Sequence, residues 1–118
     1  MAQANGAERR NHPRFAAHLR VRVRDVEMYT ANISRSGMQI ACPLTLATVI
    51  RRELDSGSLR LELEQPAGGP VAMTSEVRYA TEVEDELLIG IQHTTFEGDG
   101  EDRYDAFCAE AARKYRAA

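Results

Sequence analysis

Leu19-Arg20-Val21-Arg22-Val23-Arg24 is the stretch from which the fold is read. Three aliphatic side chains alternate with three guanidiniums, and a period of two sends successive side chains to opposite faces of an extended chain. One face is apolar and the other charged, so the segment predicts a strand with one side on a core and the other in water. Working outward, a second strand is predicted over about Glu27 to Ala31 and a third over about Met38 to Cys42, with Asn32 to Gly37 as their connection. Ser58 to Glu64 alternates through Leu59, Leu61 and Leu63, and Pro66-Ala67-Gly68-Gly69-Pro70 then imposes a turn. Val71 to Ala80 and Leu87 to Thr94 complete a meander around the acidic turn Glu82 to Glu86. Thr45 to Leu54 fits strand and helix alike, and the Asp55-Ser56-Gly57 break that follows favours a helical turn.

Near the C-terminus the period changes. Over Glu101 to Arg116, Tyr104, Phe107, Cys108, Ala111 and Tyr115 fall on one stripe at helical spacing, with acids in the first turn and Arg113, Lys114 and Arg116 late, as a helix dipole favours. Short strands, tight turns and one terminal helix predict a mainly β fold: a small antiparallel six-stranded β-barrel over about 15–97 with a C-terminal α-helix over about 101–116. At 118 residues the chain can build one core but not two. Small, polar residues at Met1 to Ala7 predict a flexible tail over 1–8, ahead of a domain spanning 9–118.

The net charge of −3 conceals an asymmetry: residues 1–24 hold six arginines against Glu8 alone, whereas Glu82 to Asp105 holds nine acids against Arg103 alone. One end would attract an anion and the other repel it. Cys42 and Cys108 stand 66 positions apart with no Cys-x-x-Cys, which predicts two reduced, buried thiols rather than a zinc site or disulfide framework. No apolar run approaches membrane-spanning length and the start does not read as a signal peptide, so a cytoplasmic protein without membrane insertion is expected.

Two short motifs carry the chemistry. The first is Arg9-Arg10-Asn11-His12-Pro13-Arg14, the second Asn32-Ile33-Ser34-Arg35-Ser36-Gly37. Pro13 removes a donor and pushes His12 toward extended geometry. Residues four apart in an extended segment point the same way, roughly 13 Å from each other, so Arg10 and Arg14 can grip two parts of one ligand. Their planar forks suit phosphate oxygens and the O6/N7 edge of guanine. An Arg-x-x-x-Arg arises easily by chance, as Arg20 with Arg24 shows; its conjunction with the second motif carries the signal.

In this order, and with a hairpin between them, the motifs resemble those of the PilZ domain, a family of bacterial receptors for cyclic di-GMP. The resemblance runs from about Glu8 to the terminal helix and implies the same barrel and helix that the periodicity predicts. It implies that Arg10 and Arg14 contact phosphate and guanine, and that Asn32, where many members carry Asp, accepts from a guanine amino group. Ser34 would donate to the ligand or close the local turn, and Gly37 would supply positive φ or room for close approach. Arg9 is the position associated with an intercalated pair of cyclic di-GMP molecules, hence up to two per chain. Arg78, on a later strand, would stack on a base. The plain readings are a solvated basic linker for the arginines, an ordinary hairpin turn for the second motif, and a surface charge for Arg78.

No nucleophile stands beside a base, and His12, His18 and His93 lack a carboxylate or further ligand beside them, so neither an enzyme nor a metal site is expected. The sequence therefore predicts a non-enzymatic receptor with cyclic di-GMP as ligand and no cofactor. Its N-terminal arm, without an apolar anchor before Phe15, would be mobile alone and ordered by the ligand, and so change what an unidentified protein effector meets. Two rivals stand beside this reading. One is a PilZ-like adaptor that binds proteins but no nucleotide. The other is a barrel that binds single-stranded nucleic acid through Arg20, Arg22 and Arg24, for which the few aromatic residues and the acidic balance are unfavourable.

Overall fold

The computed structural model describes residues 14–66 and 68–115. Six strands, β1 (Arg20–Val23), β2 (Val26–Ile33), β3 (Gly37–Pro43), β4 (Ser58–Glu64), β5 (Pro70–Val83) and β6 (Glu86–Phe96), form a closed antiparallel barrel in the order β1-β2-β3-β6-β5-β4. The expected six-stranded barrel is thus observed. Alternation builds it: Val21, Val23, Leu59, Leu61, Leu63, Val71 and Met73 point inward and are almost fully buried, while Arg20, Arg22 and Arg60 point out. Each such aliphatic contributes about 1.5–3 kcal/mol relative to exposure.

Helix α1 (Ala47–Leu54) follows a 3-10 turn over Leu44–Leu46 and closes one mouth of the barrel, with Ile50 fully buried. The helical turn expected for Thr45 to Leu54 is in fact a two-turn helix, because Ala47, Ile50 and Leu54 recur on one face and meet the core. Helix α2 (Gly100–Tyr115) covers the opposite mouth against β5 and β6, burying Tyr104, Cys108 and Ala111 as the stripe predicts. Both cysteines are free and buried, as expected.

Three bulges shape the barrel and re-aim its side chains. Between β2 and β3 the register runs Thr30↔Ile40 and then Asn32↔Gln39, which leaves Ala31 as the extra residue. Val26, Met28 and Thr30 point inward before it and Ile33 after it. In an unbroken strand Asn32 would face the core; the bulge turns it out. In β5, Arg78 is the extra residue between Val77↔Ile91 and Tyr79↔Gly90, and the same phase shift brings Tyr79 to the outer face. Thr94 is the third, and after it Phe96 points inward to meet Tyr104.

Two expectations are corrected. Arg24 does not continue the outer face of β1: it occupies the β1–β2 turn at φ 54 and pairs with Glu53 at 2.6 Å. The β2–β3 connection is also shorter than Asn32 to Gly37, since Asn32 and Ile33 end β2 and Gly37 opens β3, which leaves only Ser34, Arg35 and Ser36 between them.

Candidate ligand-binding site

Phe15 sets the geometry of the site. Its backbone exchanges two 3.0 Å hydrogen bonds with Ile33 and its ring is buried, so the chain just after the arginine motif is fastened alongside the end of β2. Arg14 is thereby held over Asn32, and its Nη1 donates to Asn32 Oδ1 at 2.7 Å. This bond joins the two motifs across 18 residues. Arg9 and Arg10 lie outside the described residues.

The row continues across the barrel. Asn32 Nδ2 donates to Gln39 Oε1 at 3.0 Å, and Gln39 Nε2 donates to the Tyr79 hydroxyl at 2.9 Å. The Tyr79 ring packs against Gly90, where a Cβ would meet Cε2 at 2.2 Å, and it remains 45% exposed. Arg78 stands beside this row, exposed, with Nη1 donating to Gln92 Oε1 at 3.2 Å and set 3.4 Å from Glu76. Gln92 pairs in register with Gly37, so Arg78 borders the same outer face as the second motif. Two guanidiniums, three amide side chains and an exposed phenol ring thus share one patch.

Ser34 and Gly37 build the turn. Ser34 is buried, and its hydroxyl donates to Gly37 O at 3.3 Å and lies 3.4 Å from Ser36 Oγ, the turn-closing role of the two expected for it. Gly37 does not have positive φ. A Cβ there would sit 2.2 Å from the carbonyl oxygen of Ile91, so it is the close approach of β3 to β6 that requires glycine.

Beneath the turn lies a buried polar chain. Ser75 Oγ is 2.9 Å from His93 Nδ1, His93 Nε2 is 3.1 Å from the Tyr104 hydroxyl, and that hydroxyl donates to Ser34 O at 2.5 Å. Burial holds the imidazole of His93 well below its usual value, at about 4, so it is neutral near pH 7. Burial likewise pushes the phenol of Tyr104 and the thiol of Cys42 up, and the thiol of Cys108 up to about 11. Both thiols therefore stay protonated, the opposite of a nucleophilic thiolate.

The alternative basic face looks different. Arg20 lies within 3.8 Å of Glu27 and 3.5 Å of Glu64, and Arg22 within 3.7 Å of Glu27. Acids interleave with the arginines, and Arg24 has left the face, so no continuous cationic track for a nucleic-acid strand exists there. A largely apolar groove of about 550 Å³ between Ala17–His18–Leu19 and α2, lined by Phe107 and Ala111 among others, shares no residue with the motif patch. No described helix is long and apolar enough to cross a membrane.

Gln39, Tyr79 and Gln92 escaped the sequence reading. Gln39 was open to it, as the polar position between inward Met38 and Ile40. Tyr79 was not, because its outward aim depends on the bulge at Arg78.

A family model described as the PilZ domain matches residues 8–110. The fold is shared with the Bacillus subtilis inhibitor of motility (MotI/DgrA), at a TM-score of 0.69 and 18% identity over 91% of this chain and 52% of that one. It is also shared with the PilZ domain of YcgR from Escherichia coli, solved with c-di-GMP, at a TM-score of 0.52 and 14% identity over 93% of this chain and 99% of that one. The chain spans about half the length of the first of these. No curated protein matches it in sequence.

Proposed function

The chain belongs to the PilZ domain family, and on that premise we propose that it is a non-enzymatic receptor whose ligand is cyclic di-GMP, held on the outer face between Arg14 and Tyr79. The observation that carries this reading is the hydrogen bond from Arg14 Nη1 to Asn32 Oδ1, which sets both motifs on one surface. The chemistry of that surface fits a guanine nucleotide. Asn32 Oδ1 is an acceptor that a guanine N2 amino group can use in place of Arg14, and the displaced fork is then free for phosphate oxygens or the O6/N7 edge. Gln39 and Gln92 offer further amide donors and acceptors, while the Tyr79 face and the Arg78 guanidinium provide flat partners for a purine. Arg10, four residues before Arg14, would grip a second part of the same ligand, and Arg9 would admit a second molecule. Binding would draw the N-terminal arm onto the barrel and so alter the surface offered to a protein effector.

Isothermal calorimetry of the purified chain with cyclic di-GMP tests the reading. A saturable heat with micromolar or tighter affinity, about −8 kcal/mol or better, is expected, and it should be lost in an Arg14→Ala/Asn32→Ala double variant that still melts cooperatively. A silent titration of the folded protein would refute the receptor reading and favour a nucleotide-independent adaptor.

A further inference from the structure

The turn between Asn32 and Gly37 is gripped from both sides. Within it, Ser34 N donates to Gly37 O at 2.8 Å; from β6, His93 N donates to Ser36 O at 2.8 Å. From α2, the Tyr104 hydroxyl donates to Ser34 O and Asp105 pairs with Arg35 at 3.1 Å. Two consecutive residues of α2 therefore hold two consecutive residues of the second motif.

The direction of the buried chain follows from its end. A carbonyl oxygen only accepts, so the one phenolic proton of Tyr104 is committed to Ser34 O. The phenol oxygen must then accept from His93, which places the imidazole proton on Nε2. Nδ1 is left bare and accepts from Ser75 Oγ. All three bonds run one way, Ser75 to His93 to Tyr104 to Ser34, each polarising the next in a largely buried site. Tyr104 and Ser75 are both fully buried and His93 between them is partly buried, so the phenol and the Ser75 hydroxyl rely on protein partners in place of water.

We propose that Tyr104 is a positioning residue for the ligand site: through Ser34 O it fixes the turn that presents Asn32 and Arg35, and it thereby couples the docking of α2 to occupation of the motif patch. The proposal rests on the nucleotide reading for its ligand, but its structural half stands apart from it. A ligand that prefers the ordered turn also stabilises the docked helix, and a firmly docked helix raises affinity by the same factor. The carboxyl-terminal helix then becomes the part of the molecule that reports binding to a partner, on the far side of the turn from the nucleotide.

Tyr104→Phe removes one oxygen and keeps the ring. Amide exchange without nucleotide, under conditions where circular dichroism shows both proteins folded, should show the amides of Ser34, Gly37 and His93 exchanging about tenfold faster in the variant, the scale of one lost hydrogen bond. Cyclic di-GMP should slow exchange along Gly100–Ala111 in the parent, and this protection should vanish in Tyr104→Phe, with the dissociation constant raised about tenfold. Unchanged turn exchange overturns the proposal whether or not nucleotide binds; a parent that binds no cyclic di-GMP removes the nucleotide reading alone and leaves turn exchange to judge the relay. Should Tyr104→Phe not fold, the pair His93→Gln and His93→Leu substitutes for it. Gln can still donate to the phenol and should retain the parent's exchange pattern, Leu should lose it, and equal behaviour of the two overturns the relay.

Discussion

Gly37→Ala is the sharpest test of how the site is built. Alanine's φ preference is satisfied at this position, so only sterics act. The new Cβ would lie 2.2 Å from the Ile91 carbonyl oxygen and 3.2 Å from Gln92 Cα, both backbone atoms in the middle of β6. Side-chain rotation cannot relieve either contact. Strands β3 and β6 must separate locally by about 0.8 Å, which strains the Gly37↔Gln92 pair and the Ser34 N to Gly37 O bond together; overpacking of this kind costs about 1–3 kcal/mol, and the backbone origin of the clash places it at the upper end. Gly90→Ala is the matched comparison. There the obstacle is the Tyr79 ring, an exposed side chain that can swing away, so the cost should stay near or below about 1 kcal/mol. Urea unfolding with unchanged slope measures both. If Gly37→Ala is as stable as the parent, or no worse than Gly90→Ala, then the account of Gly37 as a close-approach residue is wrong.

Other outcomes follow from the same geometry. Arg14→Ala should weaken cyclic di-GMP binding by about 1.5–3 kcal/mol and Arg10→Ala should do likewise without loss of fold, whereas Arg20→Ala, whose charge is spent on Glu27 and Glu64, should change affinity little; calorimetry on the three variants would expose a wrong choice of arginine pair if Arg20 proved the sensitive one. Burial lowers the folded-state value of His93 from 6.5 to about 4, so the unfolded chain takes up the proton first. The stability contribution is full above pH 6.5 and is lost as pH falls toward 4, by about 3 kcal/mol in all; chemical denaturation from pH 7 to 4 should show this loss in the parent and a flatter profile in His93→Gln. Arg9→Leu should lower the calorimetric stoichiometry from two cyclic di-GMP per chain to one, and a value of one in the parent would refute a stacking role for Arg9.

How far the sequence could be read depended on whether the period of two ran unbroken. Leu19 to Val23 and Ser58 to Glu64 keep strict alternation, and both their strand character and their inner faces were legible. Where a bulge intervenes, the phase changes with no residue to announce it: Ala31 and Arg78 carry no signature of an extra residue, yet they decide that Asn32 and Tyr79 face outward. Arg24 looked like one more outward residue because a turn residue at positive φ need not be glycine when its charge finds Glu53. The helical stripe correctly placed Tyr104 in the core. Its hydroxyl's role was beyond reach, because the partner carbonyl lies 70 residues away and backbone acceptors leave no mark in a sequence. The motif residues were legible as chemistry, and Arg14 with Asn32 as neighbours only through the resemblance that paired them.

The barrel closes on a narrow seam. β1 and β4 are joined by only two register pairs, Val21↔Leu63 and Arg22↔Glu62, against seven between β4 and β5. While the seam is shut the sheet offers no edge to another molecule, and if it parts, two strands are bared at once. Arg20 and Arg22 would then line one lip, and Glu62 and Glu64 the other. Such lips discourage like from like but suit each other, so an opened copy would add most readily to another opened copy in alternation, lip to opposite lip. Association of this species should run as open-ended head-to-tail chains instead of closed pairs, and added salt should slow its growth.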